Sequence, residues 1–215
     1  SNGVTTPGLV PLAGAEQITM VSCIVPDKAT VLWNRRLAKS EADNSMIEFG
    51  PLGADHFVWH YRDELHCSHP LTGQDLWVRR LRLSPATRPI PGVQRIFGDH
   101  NTTVVMGTDL SSYERFSTRD GKSLGTGRLS IGRISDAVTV GRCLLFPDSN
   151  SQLHLFDGGT GLDALQNSDP IILGRHNPDS MFQVLSDGRV VTVTSDFEIV
   201  LLDTIAGKVV FRTPA

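Results

Sequence analysis

One turn position recurs along this chain at the spacing of a four-stranded β-unit, and that recurrence limits the fold more than any other feature. The stretch Leu65 to Trp77, Leu-His-Cys-Ser-His-Pro-Leu-Thr-Gly-Gln-Asp-Leu-Trp, carries it at Gly73, and Ala29, Gly121, Gly161 and Gly207 answer it at steps of 44, 48, 40 and 46 residues. Eight residues before each turn stand Val21, Leu65, Tyr113, Leu153 and Ile199, all suited to a buried strand site. Four residues after it stand Trp33, Trp77, Gly125, Leu165 and Phe211, so only Gly125 departs from a large apolar group. A period of this length also suits paired helices, but no convincing 3.6-residue apolar period runs through the sequence. The best exception is Arg36 to Glu48, which reads as a short helix or a solvated loop. Elsewhere short apolar runs alternate with Gly, Asp, Asn and Thr, the pattern of strands and turns.

Turn chemistry divides the units into strands. The second is predicted as Met46 to Leu52, His56 to Arg62, Glu64 to His69 and Asp75 to Leu81, with corresponding strands in the later units. The expected fold is all-β: a β-propeller, or a fragment of one, built from four-stranded antiparallel blades. Its units run over about 8–36, 46–81, 93–128, 136–166 and 181–214, the first incomplete, within a single domain spanning 1–215. Ser1 to Gly3 read as a cloning remnant. With the fifth unit complete at Thr213, ring closure stays open: five blades could close if Gly8 to Gly14 supplies the missing element, or further blades could cover the ends.

With 40% hydrophobic and 20% charged residues, the 215-residue chain has enough apolar material for a core. A formal net charge of −3 gives no general attraction to nucleic acid, and no apolar run reaches the roughly 20 residues needed to cross a bilayer. Three cysteines, Cys23, Cys67 and Cys143, cannot all pair within one chain and read as buried thiols.

Leu65, Cys67, Thr72, Gly73, Leu76 and Trp77 resemble the PQQ-like propeller repeat, which runs Leu, aromatic, Ala, Leu, Asp, then Thr-Gly and Leu-Trp; the pattern overlaps with that of WD-type propellers. His69 replaces the pattern's Asp, which Asp157 and Asp203 supply in later units, where such an Asp can accept turn N–H groups. The resemblance covers about 185 residues. It implies a non-enzymatic scaffold with a protein partner, exported or envelope-associated, and possible oligomers or further blades. No motif here matches a quinone or calcium site, so no cofactor is expected.

His56, His60, His66 and His69 lie close together around Cys67. If Arg62 to Glu64 forms the hairpin tip, His60 and His66 share one face, either as a weak metal pair or as neutral imidazoles filling space between blades. Asp148, Asn150 and Gln152 alternate like a calcium loop but lack its later Glu, and read as a turn. Gly158 to Gly161 imitates a phosphate loop without the Lys or helix that such a loop needs. Glu48, Asp99, Asp136 and Asp187 lie on or after expected inner strands and are the basis of an alternative, a carbohydrate-active or small-ligand propeller with an axial site.

Between Leu76 and Gly98 stand Arg79, Arg80, Arg82, Arg88 and Arg95 with no acidic residue, around Pro85, Pro89 and Pro91. This reads either as a proline-braced solvated connection or as a docking surface for an acidic partner. The connection Asn167 to Ser180, with Arg175 and His176, should emerge on the same rim. Arg79, Arg80, Arg88, Arg175 and His176 are the candidate binding residues.

Overall fold

The computed structural model describes residues 20–37, 47–83, 94–109, 111–132, 136–174 and 182–214. Its first unit is a hairpin, β1 (Met20–Val25) and β2 (Thr30–Arg36), in the places of a blade's third and fourth strands. The second blade comprises β3 (Glu48–Leu52), β4 (Phe57–Tyr61), β5 (Glu64–Ser68) and β6 (Asp75–Arg80). The third comprises β7 (Ile96–Gly98), β8 (Thr102–Met106), β9 (Ser112–Ser117) and β10 (Ser123–Arg128). The fourth comprises β11 (Val138–Val140), β12 (Cys143–Pro147), β13 (Leu153–Asp157) and β14 (Leu162–Asp163). The fifth comprises β15 (Phe182–Val184), β16 (Arg189–Val193), β17 (Glu198–Asp203) and β18 (Lys208–Pro214). Each of these four is an antiparallel sheet whose strand order follows the chain, and the described residues form four complete blades and one partial blade of a β-propeller.

The sequence pattern explains why the strands differ. In the second, third and fourth blades the second strand is buried at all five positions, because neighbouring blades cover both its faces. Near-continuous apolar runs such as Phe57–Tyr61 and Cys143–Pro147 follow from that. The fourth strands lie at the sheet edge and alternate or stay exposed. First strands meet side by side on the inside of the arc: Gly98 N–H donates to Gly141 O (3.2 Å), and a Cβ at Gly50 would lie 2.4 Å from Ile96.

Four apolar clusters correspond to four blade junctions. Val21 and Leu37 pack with Phe57, Trp59 and Tyr61. Val58, Leu65, Cys67 and Trp77 pack with Ile96, Val105 and Phe116. Phe97, Val104 and Tyr113 meet Leu144, Phe146 and Phe156, and Leu145, Leu153 and Leu155 meet Val190, Val200 and Leu202.

All five repeat turns are left-handed, with φ of 47° at Ala29, 68° at Gly73, 66° at Gly121, 77° at Gly161 and 63° at Gly207. The register read from the sequence is therefore a backbone register. At each junction a side chain of one blade donates to the carbonyl three residues before the next blade's turn. Trp33 Nε1 donates to Pro70 O (2.8 Å) and Trp77 Nε1 to Thr118 O (2.9 Å). Arg115 Nη1 donates to Gly158 O (3.2 Å) and Cys143 Sγ to Thr204 O (3.3 Å). Glycine is required beneath the first three donors for a second reason as well. A Cβ at Gly73 would lie 2.5 Å from the Trp33 ring, one at Gly121 2.8 Å from Trp77, and one at Gly161 2.5 Å from the Arg115 guanidinium.

This accounts for Gly125, the one unit without a large apolar group after its turn. Arg115 is its cross-strand partner, and the guanidinium occupies the ground that an indole covers elsewhere, donating also to Gly159 O and Leu124 O. Asp157 and Asp203 accept turn N–H groups from Gly159 and Ala206, and His69 does the same through Nδ1 for Leu71. The expected elements at Gly8 to Gly14 lie outside the described residues, as does most of Arg36 to Glu48.

Candidate interaction surface

Two connections from a fourth strand to the next first strand have described roots that are fixed by hydrogen bonds. Buried Glu114 accepts Arg82 N–H and Leu83 N–H through one oxygen, both at 2.8 Å, so the arginine-rich connection starts from a defined point. At its far end Gln94 N–H donates to Thr139 Oγ1 of the next blade (3.3 Å). The later connection, Asn167 to Ser180, carries Ile171 and Leu173, both buried. Its backbone bonds to Leu153 and Ser151 of the fourth blade and Ser195 of the fifth, wedging the two together.

Of the five candidate binding residues, Arg79 and Arg80 are described, and both sit on β6. Arg79 reaches across the junction, Nε donating to Gly121 O (2.8 Å) and Nη2 to Asp120 O (3.1 Å). Its guanidinium therefore holds the next blade's turn. Arg80 is exposed and pairs with Asp63 at the tip of the β4–β5 hairpin (2.6 Å), a surface pair of small energetic weight. Arg88, Arg175 and His176 lie outside the described residues.

The structure corrects the histidine pair. Tyr61 faces Glu64, His60 faces Leu65 and Trp59 faces His66, so the hairpin tip is the two residues Arg62 and Asp63. Moving the tip by one residue exchanges the faces of a strand, and His60 and His66 point to opposite sides of the blade. They cannot share a metal. His66 stacks on Trp59 (ring centroids 4.1 Å) beside a network in which Trp59 Nε1 donates to Ser68 Oγ, Ser68 Oγ to Asp75, and Arg35 doubly to Asp75 (2.6 and 2.8 Å). Burial opposes ionisation of Asp75, but the bonds from Arg35 and Ser68 hold its carboxyl below the ordinary value.

His60 faces the third blade, opposite Glu48 on β3 and near Arg95. Neither His60 ring nitrogen has a hydrogen-bond partner, nor do Arg95 Nε and Nη1, and Arg95 approaches Glu48 only to 3.8 Å. Burial lowers the His60 pKa, against the Arg62 backbone, which favours the charged ring. Burial lifts Glu48 above its ordinary value, against the pull of Arg95.

The four inner carboxylates divide between the two ends of the blades. Glu48 and Asp136 stand where first strands begin. Asp99 and Asp187 stand in the turns after first strands, Asp99 accepting Asn101 and Thr102 N–H and Arg142, Asp187 accepting Arg189. A hydrolytic pair drawn across the two sets has no shared location. Asp148 accepts the N–H groups of Asn150 and Gln152 and makes a hairpin turn, and the Gly158 to Gly161 stretch is the receiver of Arg115. Cys67 and Cys143 are buried thiols pushed up to about 12 by desolvation, whereas Cys23 is only half-buried.

No family model and no curated protein matches the chain. Its structure is similar to BamB from Moraxella catarrhalis, at 15% identity and a TM-score of 0.47 over 90% of this chain and 58% of that one. It is similar to a HIRA fragment (644–1017), at 14% identity and a TM-score of 0.47 over 78% and 55%. It is also similar to Hsv2 from Kluyveromyces lactis, at 17% identity and a TM-score of 0.45 over 84% and 55%. The chain spans little more than half the length of each. The propeller assignment rests on the sheets and junctions themselves.

Sequence reasoning missed Arg115 and Glu114. A signal for the first was present: six residues before the turn stand Cys23, Cys67, Arg115, Leu155 and Leu201, and the only charged member falls in the unit whose later position is glycine.

Proposed function

We propose that the chain is a non-catalytic propeller scaffold of the PQQ-like repeat type, whose fourth-to-first-strand connections bind an acidic segment of a partner protein. One observation carries this reading: five arginines and no acidic residue stand between Leu76 and Gly98, with Arg79 and Arg80 on β6 and Arg95 buried at the far end, around a connection whose root Glu114 pins. Fixing the root lowers the ordering cost of a binding loop, and proline bracing acts in the same direction. The repeat type is supported by Thr72-Gly73 and Leu76-Trp77, where the indole caps the following blade's glycine. Arg80, Arg88, Arg175 and His176 are the contact residues in this reading, and Arg79 secures the strand beneath them.

The test is fluorescence anisotropy with a labelled oligo-glutamate peptide. A chain of net charge −3 should repel this probe unless a local basic surface captures it. Binding that weakens with salt, and falls about tenfold in the Arg80→Glu, Arg88→Glu, Arg175→Glu triple variant, supports the reading. Equal affinity for variant and parent overturns it.

A further inference from the structure

Among the described residues, six buried side-chain nitrogens lack a hydrogen-bond partner, and four of them belong to His60 and Arg95. Both residues are 6% exposed. Buried polar atoms are almost always satisfied, and each one left bare costs its full desolvation. The two side chains meet at one carboxylate. His60 stands opposite Glu48 across the β3–β4 pair, and Arg95 Nη1 approaches Glu48 Oε1 only to 3.8 Å, too far for a hydrogen bond. The Glu48 side chain is 25% exposed and opens the group to solvent.

Packing between blades does not call for this chemistry. In the repeat register Leu65, Tyr113, Leu153 and Ile199 are equivalent, and their partners on the second strands are His60, Met106, Pro147 and Val193. Three blades place an apolar group where the second places an imidazole. Met106 N–H donates to Arg95 O (2.8 Å), so Arg95 stands opposite Met106 as Glu48 stands opposite His60. Two consecutive blades therefore bring a carboxylate and a guanidinium to equivalent places at the starts of their first strands, and both lie beside the one polar ring of the series.

Location ties the group to the arginine-bearing connection. Arg95 ends that connection, after Gln94, whose N–H is held by Thr139 Oγ1 of the fourth blade. The strand leading into it, β6, ends at Arg80, which faces Glu64 and pairs with Asp63 at the same end of the second blade as His60 and Leu65. A ligand for the bare atoms must accept from Arg95, bond with a neutral imidazole and give a hydrogen to Glu48. A carboxyl group with its proton does all three, and an acidic segment bound along the connection carries such groups.

We infer that Arg95, His60 and Glu48 form a seat for one carboxyl group of the acidic segment, at the junction of the second and third blades. The seat rests on the acidic-partner reading above and gives that segment a buried anchor. Charge balance sets its protonation. Arg95 and Glu48 cancel, so a guest carboxylate alone would leave one buried negative charge, and a proton from solvent enters with it, shared between Glu48 and the guest. Burial already favours the neutral forms of Glu48 and His60. The other charged groups around His60 are engaged elsewhere: Arg62 over the Tyr61 ring, Asp63 with Arg80, and Glu114 of β9 with the Arg82 and Leu83 N–H groups. His66, with Glu64 at 3.5 Å, lies on the opposite side of the blade.

The test is isothermal titration calorimetry of the 215-residue chain with the oligo-glutamate probe, near neutral pH, in buffers of different ionisation enthalpy. The expected result is uptake of about one proton per bound probe, equivalent to about a tenfold gain in affinity for each unit fall in pH. Glu48→Gln, an uncharged match for the protonated side chain, is expected to bind without proton uptake. His60→Met and Arg95→Met are each expected to bind about tenfold more weakly. Both are expected to unfold at the parent's temperature or above it, because they remove bare polar groups, and circular dichroism on heating reads this. Lowered midpoints in both would make these residues structural and overturn the seat. Binding by the parent with no proton taken up, uptake that survives Glu48→Gln, or parent-like affinity in both methionine variants overturns the seat and leaves the partner reading standing. A parent that does not bind the probe overturns both.

Discussion

The second and third blades are joined by an indole and the third and fourth by a guanidinium, yet both groups sit over a left-handed glycine and donate to the carbonyl three residues before it. Trp77 arrives from the strand after its own turn, Arg115 from the strand before it. What the two junctions share is the place of the donor and the absence of a Cβ beneath it. What differs is rigidity. An indole brings a large apolar area and a fixed plane, whereas a guanidinium on a flexible stem reaches several carbonyls and can shift.

That difference can be broken at several points, beginning with the donors. Removing Trp77 in Trp77→Ala takes a large buried ring out of the core between two blades, and an expected loss of about 3–5 kcal/mol in urea unfolding follows. Arg115→Ala removes bonds to neutral carbonyls and less apolar area, with an expected loss of about 1–3 kcal/mol. Equal losses would mean that the guanidinium carries as much packing as the indole.

The receivers sharpen the contrast. Gly121→Ala and Gly161→Ala each place a side chain at positive φ, at a cost of about 1–2 kcal/mol. Only Gly121→Ala also drives a methyl into a rigid indole, and its loss is expected to exceed that of Gly161→Ala by about 1–3 kcal/mol. Thermal unfolding of the pair checks this, and the reverse order would contradict the assignment of Arg115 as the yielding partner.

Protonation acts on the two junctions of the second blade, by a smaller margin. Burial lowers the pKa of His60, so the unfolded chain takes up its proton first as pH falls, and the stability held above about pH 6.5 is lost as pH falls through the lower folded value. His66 acts in the same direction, and Glu48, raised by burial, opposes both. His60→Gln is expected to flatten the acid side of a stability–pH curve, and an unchanged slope would assign that limb to His66. The smallest effect is chemical: Cys67 and Cys143, with thiols pushed up to about 12, are expected to resist alkylation in the native state, with Cys23 labelled first. Mass spectrometry of the labelled peptides reads the order directly.

Much of the fold was legible because the repeat is written in turn geometry. A left-handed turn demands glycine or tolerates a small residue, so Gly73 and its counterparts mark blades even where the strands between them have diverged. Strand boundaries followed to within a few residues, since their apolar runs reflect burial on one face or two. The histidine pair was misread because a hairpin tip of two residues or three gives equally plausible alternation, and one residue exchanges the faces. Arg115 was missed because its role exists only across two blades and depends on a glycine in a different strand. The same holds for Arg79, which reads as a solvated rim charge until the turn beside it is seen.

The acceptor at every interior junction is a backbone carbonyl, which every residue type supplies. Half of each contact is therefore indifferent to mutation, provided that the turn keeps its shape. A unit copied into a new place arrives already able to receive its neighbour, and only the giving side has to be settled by side-chain chemistry. Tryptophan, arginine and cysteine in successive junctions are three independent settlements of that one question, which is how a row of blades can lose nearly all likeness in sequence while each still accepts the blade before it.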